Sequence, residues 1–262
     1  MIKRGMSSIL FEIKNSIAFI TLNRPEKYNA FNREMALLLQ EKLKQCGSNE
    51  VRCVLISGAG KAFCSGQDLE EIVNPEGPKI EHIVGELYNP IIHCIRKLQK
   101  PVVAAVNGVA AGAGANIALA CDIVVAARAA SFIQAFSKIG LIPDSGGTFF
   151  LPRLIGWQKA SALMMLGDKI SAVEAERIGM IYKVFTDEFF MQEVQNIATT
   201  LASMPTKGLA YTKQLLDNSF ENSYEDQLED EENFQQLAGM TKDYKEGVQA
   251  FLEKRKPNFT GE

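Results

Sequence analysis

The chain has 262 residues, of which 47% are hydrophobic, so it can bury a large core, and we expect one core followed by a helical tail. Its formal net charge of -3 and its scattered lysines and arginines argue against a nucleic-acid partner. No apolar run is long enough to cross a membrane and none follows the positively charged residues 1–8, so we expect a cytoplasmic protein without an export signal.

The five cysteines are odd in number and widely spaced, and their spacing is not that of metal ligands. Such usage is typical of reduced thiols in a cytoplasmic protein, and no metal site is expected. Cys64 lies close to one of the glycine-rich turns described below. Because no histidine is near it in the sequence, we interpret it as a packing residue.

Two strand-like runs open the chain. They occupy Ile9–Lys14 and Ile17–Leu22, and Asn15-Ser16 between them predicts an antiparallel hairpin. The following segment, 23–32, is polar and contains a proline, so we expect a loop. Asn32 at its end is placed to cap the helix that follows.

Three short apolar runs predict buried parallel strands, at 51–57, 101–106 and 122–127. Helical patterns alternate with them, so a parallel α/β sheet is the simplest architecture. Ligands gather at the carboxyl ends of such strands. The helical pattern at 80–98 is interrupted by a proline at position 90, and we interpret its two histidines, at 82 and 93, as surface or packing residues.

Two glycine-rich turns follow the first two of these strands. In the first, 65–68, glycine permits close approach of a ligand and backbone N–H groups could point outward. The second precedes a helix predicted over 112–121, whose first N–H groups lack partners within the helix and could stabilise a developing negative charge. Small residues there could also serve close helix-to-sheet packing, and both interpretations can be true.

A third turn, 139–148, carries Asp144 between apolar flanks. Loss of hydration disfavours a charged carboxylate, so the pKa of Asp144 could rise toward the range of a general base. The alternative is that Asp144 or Ser145 only caps the next helix. The presence of three such turns in one chain favours a functional site.

The chain beyond the third turn is mainly helical. Helices are predicted over 159–166, 173–178 and most of 188–252, with a strand over 180–185. Ser171 and Glu174 form a capping-box pattern, Gly179 ends that helix, and Pro205 and Gly239 mark later breaks. The acidic run 225–232 is typical of a solvated helix face. We therefore divide the chain into a catalytic core at 1–200 and a helical region at 201–262.

Taken together, these turns resemble the crotonase (enoyl-CoA hydratase/isomerase) family, and the resemblance covers nearly the whole chain. It rests on the sequences at 22–25 (Leu-Asn-Arg-Pro), 62–68 (Ala-Phe-Cys-Ser-Gly-Gln-Asp), 101–108 (Pro-Val-Val-Ala-Ala-Val-Asn-Gly), 121–122 (Cys-Asp) and 140–143 (Gly-Leu-Ile-Pro). The resemblance implies an α/β fold built as a spiral of ββα units, with a helical carboxyl-terminal region that mediates trimers, often paired into hexamers. It also implies an acyl-CoA substrate, with CoA as part of the substrate and no permanently bound cofactor.

The same resemblance assigns site residues. In that family two backbone N–H groups form an oxyanion hole for the thioester, and by motif position these belong here to Gln67 and Ala113. Substrate or CoA contacts are implied for Ser65, Gly66, Asp68, Leu69, Gly112 and Asn116. Contacts to the CoA phosphates are implied for Arg24 and Lys27, which could alternatively be ordinary solvated charges. Phe251 and Lys254 resemble residues that reach the nucleotide of a neighbouring subunit.

The chain departs from the family's hydratases. The positions of their two catalytic glutamates are occupied here by Asn116 and Phe136, so the hydratase pair is missing. Segments 136–148 and 243–248, among others, instead resemble the ring-epoxyphenylacetyl-CoA isomerases, in which an aspartate at the position of Asp144 is the sole catalytic carboxylate. A single base suffices for an isomerisation, because it can remove a proton at one carbon and return it at another, whereas hydration needs both a water-activating group and an acid.

Two other functions stay open at this point. The same base and oxyanion hole could shift the double bond of a 3-enoyl-CoA, and hydration of an enoyl-CoA is a weaker alternative on the same scaffold. A noncatalytic acyl-CoA-binding or assembly protein would use Asp144 only as a helix cap. The combination of Asp144 with a preserved oxyanion turn favours an enzyme.

Overall fold

The computed structural model describes residues 7–74 and 77–262. The positively charged start of the chain, on which the expectation of no export signal depends, lies largely outside the described residues, since these begin at position 7. The strands are β1 (Ile9–Lys14), β2 (Ile17–Leu22), β3 (Cys53–Gly58), β4 (Ala62–Cys64), β5 (Val102–Val106), β6 (Val109–Ala111), β7 (Ile123–Ala127), β8 (Ser131–Ile133), β9 (Lys169–Ser171) and β10 (Lys183–Phe185). The helices are α1 (Arg33–Gln45), α2 (Leu69–Val73), α3 (Ile80–His82), α4 (Asn89–Lys97), α5 (Ala113–Leu119), α6 (Gly147–Ile155), α7 (Trp157–Leu166), α8 (Ala172–Arg177), α9 (Phe190–Ser203), α10 (Thr206–Asn218), α11 (Tyr224–Gly239) and α12 (Lys242–Leu252).

The strands form two sheets. The larger has the order β1-β2-β3-β5-β7-β10, in which only the β1–β2 pair is antiparallel, and the smaller has the order β4-β6-β8-β9. Consecutive strands come in pairs along the chain, and each pair is followed by helical segments. The first strand of each pair lies in the larger sheet and the second in the smaller, as in β3 and β4, β5 and β6, and β7 and β8. This is the predicted spiral of ββα units. It brings the segments after β4, β6 and β8 to one edge of the smaller sheet, because those three strands are parallel neighbours.

Local sequence signals account for the amino-terminal part of the fold. Asn15 and Ser16 both have positive φ, 51° and 59°, as a tight hairpin turn between β1 and β2 requires. The Asn32 side chain accepts a hydrogen bond from the Met35 N–H and caps α1. The hairpin and the cap are both confirmed.

The core lies between the sheets and the surrounding helices. All five residues of β5 are buried, as expected for a central strand covered on both faces. The predicted strands and helices begin and end within one or two residues of the observed ones, except for 180–185, where the strand begins only at Lys183. The Gly179 and Met180 N–H groups close the end of α8 instead, and the first bond to β7 is that of the Tyr182 N–H to the Val124 carbonyl, directly before the strand.

The segment 80–98 differs from the prediction of a helix interrupted at Pro90. The backbone stays helical, but a π-helical turn over Ile83–Tyr88 joins α3 to α4. Pro90 lies in the first turn of α4, where its missing N–H is tolerated. The Gln40 side chain donates to the carbonyls of Glu86 (2.8 Å) and Leu87 (3.0 Å), and so compensates for bonds that the wider turn and the proline omit.

The carboxyl-terminal region is helical, as predicted, with breaks at Pro205 and after Gly239. A further break, between α10 and α11, was not predicted, although Ser223 and Asp226 form a reciprocal capping box there. Among the described residues, no helix is both long enough and apolar enough to span a bilayer.

At α8 only half of the predicted capping box forms. The Ser171 side chain accepts a hydrogen bond from the Glu174 N–H, as predicted. The Glu174 carboxylate does not reach back to the cap residue, because it pairs with Arg177 on the same helix. The start of α8 is therefore capped from one side only.

Candidate active site

A cavity of about 220 Å³ lies where the three sequence-predicted turns meet. Gln67, Ala113 and Asp144 all line it. Most of its other lining residues are apolar: Leu69, Ile72, Ile80, Ile83, Val84, Phe136, Ile139 and Leu141. A small number of polar groups converging in an apolar cleft is the usual form of a small-molecule site.

The first turn follows β4 and orients the Gln67 backbone. The Phe31 N–H donates to the Gly66 carbonyl (2.7 Å), and the Asp68 N–H donates to the Phe31 carbonyl (2.8 Å). These two bonds form a parallel β-bridge between Phe31 and Gln67, in which the N–H of Gln67 itself points away from Phe31. Gly66 has φ +94°, and a Cβ there would lie 3.0 Å from the Ala111 carbonyl oxygen, so glycine is needed for the two turns to pack together.

The second turn follows β6 and starts α5. Gly112 has φ 52° and ψ −129°, and its N–H donates to the Ile133 carbonyl of β8 (2.9 Å). The first bond within the helix runs from the Asn116 N–H to the Gly112 carbonyl, which leaves the Ala113 N–H free of any helical partner. Across residues 7–74 and 77–262, no protein acceptor bonds the Gln67 or the Ala113 N–H. The two predicted oxyanion donors are therefore unpaired N–H groups, and the residues that carry them line the same cavity.

The Asp144 carboxylate is half-buried in the third turn. Burial among apolar groups raises the pKa of Asp144 to about 6, against the opposing effect of hydrogen bonds from Ser145 and from its own backbone N–H. The Ser145 hydroxyl donates to Asp144 Oδ1 at 2.9 Å. An elevated pKa was predicted from the apolar flanks, and a base with a pKa near 6 is largely ionised at neutral pH.

The alternative interpretation of Asp144 or Ser145 as a helix cap is wrong. Helix α6 begins at Gly147 with Gly146 as its cap residue, and no side chain caps it. Ser145 and Gly146 both have left-handed backbone conformations, with φ 52° and 73°. These two residues separate the Asp144 side chain from the start of the helix, and the Ser145 hydroxyl bonds the carboxylate instead.

Tyr88 is a site residue that the sequence analysis missed. It is the last residue of the π-helical turn, lines the cavity, and donates from its hydroxyl to Gln67 Oε1 at 2.5 Å. Burial raises the pKa of Tyr88 well above its usual value, with Cys64 and Asp144 adding to the effect, so the phenol stays protonated and can donate. Its position fitted an ordinary apolar helix face, and no signal in the sequence marks the π-helical turn.

Two predicted substrate contacts, Arg24 and Asp68, instead bond each other. Arg24 Nη2 lies 2.9 Å from Asp68 Oδ2, and Arg24 Nη1 donates to the Ala30 carbonyl at 2.6 Å. Asp68 also caps α2 through the Glu70 N–H. Neither side chain lines the cavity, because both hold the loop 23–32 against the first turn. Lys27 forms an exposed ion pair with Glu70, which leaves it accessible to an anion.

Asn116 also differs from its prediction as a substrate contact. Its side chain is completely buried and does not line the cavity. Instead, Asn116 Nδ2 donates to the Asp144 carbonyl at 2.9 Å, and Asn116 Oδ1 accepts from Gln134 Nε2 at 2.7 Å. The remaining predicted contacts do line the cavity: Ser65, Gly66, Leu69 and Gly112.

The other predicted residues lie elsewhere. Phe251, at the end of α12, is 84% exposed and borders a separate cavity of about 480 Å³ among the carboxyl-terminal helices. Lys254 follows that helix and has a positive φ of 54°. Their predicted contact with a neighbouring subunit's nucleotide stays a prediction. Cys64 is buried and burial raises its pKa to about 12, which agrees with a packing role.

Metal ligation has no support in the described part of the chain, where no three His, Cys, Asp or Glu side chains come together as a metal ion would require. The arrangement offers instead one carboxylate with a raised pKa, two unpaired N–H groups and an apolar cavity. Chemically, such a site can move a proton on a substrate whose oxygen gains negative charge.

Comparisons with known proteins agree with this geometry. The family model described as "Enoyl-CoA hydratase/isomerase" matches residues 12–262. The "1,2-epoxyphenylacetyl-CoA isomerase" of Escherichia coli K12 is 48% identical over 260 residues, which cover 98% of this chain and 99% of that protein. A Rhodobacter capsulatus protein named "Probable enoyl-CoA hydratase" is 44% identical over 97% of this chain and 98% of its own length.

Solved structures give the same result. The crystal structure of an enoyl-CoA hydratase from Bacillus anthracis superposes with a TM-score of 0.91 at 33% identity, and covers 97% of this chain and 100% of that one. The family match spans nearly the whole chain, including all three turns of the cavity. The family is one of enzymes, and this chain belongs to it: the protein is a member of the enoyl-CoA hydratase/isomerase, or crotonase, family.

Proposed function

We propose that the protein is an isomerase that converts 2-(1,2-epoxy-1,2-dihydrophenyl)acetyl-CoA to the oxepin-CoA, with Asp144 as the base. The observation that carries this proposal is the single carboxylate that shares one apolar cavity with two unpaired backbone N–H donors. The 48% identity to an isomerase of that name supports the choice of substrate. CoA enters as part of the substrate.

The proposed mechanism uses Asp144 in both directions. The ionised carboxylate takes a proton from the acyl group, and negative charge moves onto the thioester oxygen. The Gln67 and Ala113 N–H groups donate to that oxygen, and loss of one such donor typically costs about 10²–10³ in rate. The protonated Asp144 then returns the proton at another carbon. With an epoxide substrate, the same control of charge accompanies opening of the three-membered ring.

Hydration is disfavoured by the composition of the cavity. Among the described residues that line it, Asp144 is the only carboxylate. Phe136 has no proton to transfer, and the Asn116 amide is buried behind the turn. Adding water to a double bond requires one group to activate water and another to protonate carbon. We therefore expect crotonyl-CoA hydration to be weak or absent.

A second candidate function is the shift of a double bond in a 3-enoyl-CoA. The observation that favours it is the run of aliphatic side chains along the cavity, which includes Leu69, Ile72, Ile83 and Val84 and could accept an unbranched acyl chain. The required chemistry is the same, since one base and one oxyanion hole suffice. The two candidates therefore share the proton transfer and differ in the acyl group, since only the epoxide also requires ring opening.

The test is to incubate the purified protein with epoxyphenylacetyl-CoA, with a 3-enoyl-CoA and with crotonyl-CoA, and to follow the products by mass and absorbance. The proposal requires the highest kcat/KM for the epoxide. A higher kcat/KM for the 3-enoyl-CoA would favour the second candidate. Crotonyl-CoA hydration at a comparable rate would show that the acid and base are misassigned.

A further inference from the structure

We infer that Asn116 is a positioning residue, which fixes the Asp144 turn at a set place relative to the oxyanion donor on Ala113. This inference rests on the proposed role of Asp144 as the base. The side chain of Asn116 does not line the cavity, so it would act on the reaction only through Asp144.

The orientation of the Asn116 amide is determined by its partners. The Asp144 backbone carbonyl can only accept a hydrogen bond, so Asn116 must present its NH₂ group to it, at 2.9 Å. The other end of the amide, Oδ1, then accepts from Gln134 Nε2 at 2.7 Å. Asn116 and Gln134 are 0% and 2% exposed, so water does not compete for these bonds. The amide is therefore locked from both sides.

The same helix carries the amide and the oxyanion donor. Ala113 is the first residue of α5, Asn116 lies one turn further, and all seven residues of that helix are buried. The turn has one other restraint on the same carbonyl, the Gly147 N–H at 2.9 Å, and it includes Ser145 at φ 52°, a conformation that a residue with a side chain adopts at a cost. One rigid helix thus connects the base to a donor of the oxyanion hole.

Gly147 gives independent support for this contact. It is the first residue of α6, where alanine would be the better helix former. A Cβ at Gly147 would lie only 2.3 Å from Asn116 Nδ2. Gly147 does not have a positive φ, so the missing side chain serves the approach of Asn116 and not an unusual backbone conformation.

These contacts define a double-mutant experiment with Asn116→Ala, Gly147→Ala and the pair of both. Asn116→Ala removes the bond to Asp144, and Gly147→Ala pushes the amide away without changing either bonded residue. Each should lower kcat by about 10–100-fold, because displacing a reacting group by about 1 Å can cost 10² in rate. KM and the affinity for acetyl-CoA should change little. The double variant should be no slower than Asn116→Ala, since the new Cβ would occupy space that the amide has left.

The dependence of kcat on pH distinguishes a positioning role from a loss of packing, because a loss of packing alone would not shift it. A relaxed turn exposes the Asp144 carboxylate to water, so the acid limb of kcat should shift to lower pH in both single variants. Among the described residues, the other titratable side chains that line the cavity with Asp144 are Tyr88 and Lys138, and Tyr88 is also close to Cys64 and Glu71. Burial raises the pKa of the Tyr88 and Cys64 groups, so neither ionises over that limb.

The matched control is Ile117→Val, which removes one methylene from the neighbouring buried residue of α5 and changes no polar side chain. It should lower the melting temperature and leave kcat and the pH profile unchanged. Three results would overturn the inference. Folded Asn116→Ala could have the wild-type kcat, or the substitutions could change KM alone. The fold-losses in kcat of the two single variants could also multiply in the double variant. If Asn116→Ala does not fold, Gly147→Ala decides alone. Full activity of Asp144→Asn would instead remove the proposed base, so the two failures are distinguishable.

Discussion

Among single residues, the site depends most on how the protein treats one carboxylate. Asp144 accepts a hydrogen bond from Ser145, yet burial dominates and raises its pKa to about 6. A base with this pKa is mostly ionised at neutral pH and still basic enough to remove a proton from an activated carbon. Both the rate and the stability of the protein should therefore respond to this side chain.

Asp144→Asn keeps the shape of the side chain but removes the base, so turnover should fall by several orders of magnitude while acetyl-CoA still binds. Calorimetry and single-turnover assays measure the two effects. Ser145→Ala is the matched control: it should retain activity within about tenfold, since it removes only one hydrogen bond from the carboxylate and no side chain caps α6. An Asp144→Asn variant with the wild-type rate would remove Asp144 from the mechanism.

The raised pKa of Asp144 also predicts the dependence on pH. Because that pKa is about 6, kcat should fall as the pH drops through about 6. The effect on stability has the opposite sign: the folded protein binds the proton more tightly than the unfolded chain does, so Asp144 costs stability as the pH rises from about 4 through 6. Asp144→Asn should therefore raise the melting temperature more at pH 8 than at pH 4. A uniform shift across that range would contradict the assignment.

Among the secondary-structure elements, the π-helical turn over Ile83–Tyr88 matters most, because it brings Tyr88 to the cavity. The Tyr88 hydroxyl bonds Gln67 Oε1, and Gln67 Nε2 bonds Glu71 Oε2 at 2.9 Å. Both ends of the Gln67 side chain are thus fixed, and its backbone N–H is a proposed oxyanion donor. Irregular π-helical turns often occur at functional sites.

We therefore predict that Tyr88→Phe lowers kcat by about tenfold, less than the loss of a whole oxyanion donor, which costs about 10²–10³. The ring remains, so the shape of the cavity is kept, and the Gln67 amide oxygen loses its donor. The carbonyl stretching frequency of a bound thioester, measured by infrared spectroscopy, should shift toward that of a less polarised carbonyl. Tyr182→Phe, at an exposed position, is the control. An unchanged rate and frequency would show that Tyr88 only packs.

Across the molecule as a whole, a partly buried charge cluster around Lys213 ties the carboxyl-terminal helices to the core. Lys213 on α10 is 7% exposed, and its Nζ lies 2.6 Å from the Ile95 carbonyl and 2.9 Å from Asp122 Oδ2. Arg96 bonds Asp122 and also Asp217 of α10. These bonds cross the predicted boundary between residues 1–200 and 201–262.

Lys213→Met should therefore destabilise the protein by about 1–3 kcal/mol, because the Ile95 carbonyl loses its donor, while Asp122 keeps Arg96 as a charged partner. Urea unfolding measures the change. Lys245→Met, at an exposed position on α12, should be nearly neutral. A similar loss in both variants would indicate that this charge cluster contributes nothing specific to stability.

The exposed face of α12 bears on assembly. Tyr244, Val248, Phe251 and Leu252 recur at helical spacing and are 43–84% exposed, which is typical of a surface that another chain covers. We expect this face to lie in the trimer that the family resemblance implies. Light scattering should then give the mass of a trimer or hexamer, and Phe251→Asp with Leu252→Asp should reduce it. A monomeric wild-type protein would contradict this expectation.

Features that depend on neighbouring residues were predictable from the sequence. The hairpin at Asn15-Ser16, the cap at Asn32 and the buried strands follow from local backbone preferences and from the spacing of apolar residues. The rise in the pKa of Asp144 was predicted from its apolar flanks, of which Phe136 and Leu141 line the cavity with it. The glycine-rich turns indicated free backbone N–H groups, and the resemblance to a family assigned the proposed oxyanion donors to Gln67 and Ala113.

Contacts between distant segments became visible only in the folded chain. Tyr88 and Gln67 are 21 positions apart, Asn116 and Asp144 are 28 apart, and Arg24 and Asp68 are 44 apart. An amide or a guanidinium looks the same in a sequence whether it binds substrate or backbone, because its donors fit either acceptor. Burial and distance distinguish the two, and both arise from the packing of distant segments. The sequence therefore located the proposed base, and the packing determined which side chains surround it.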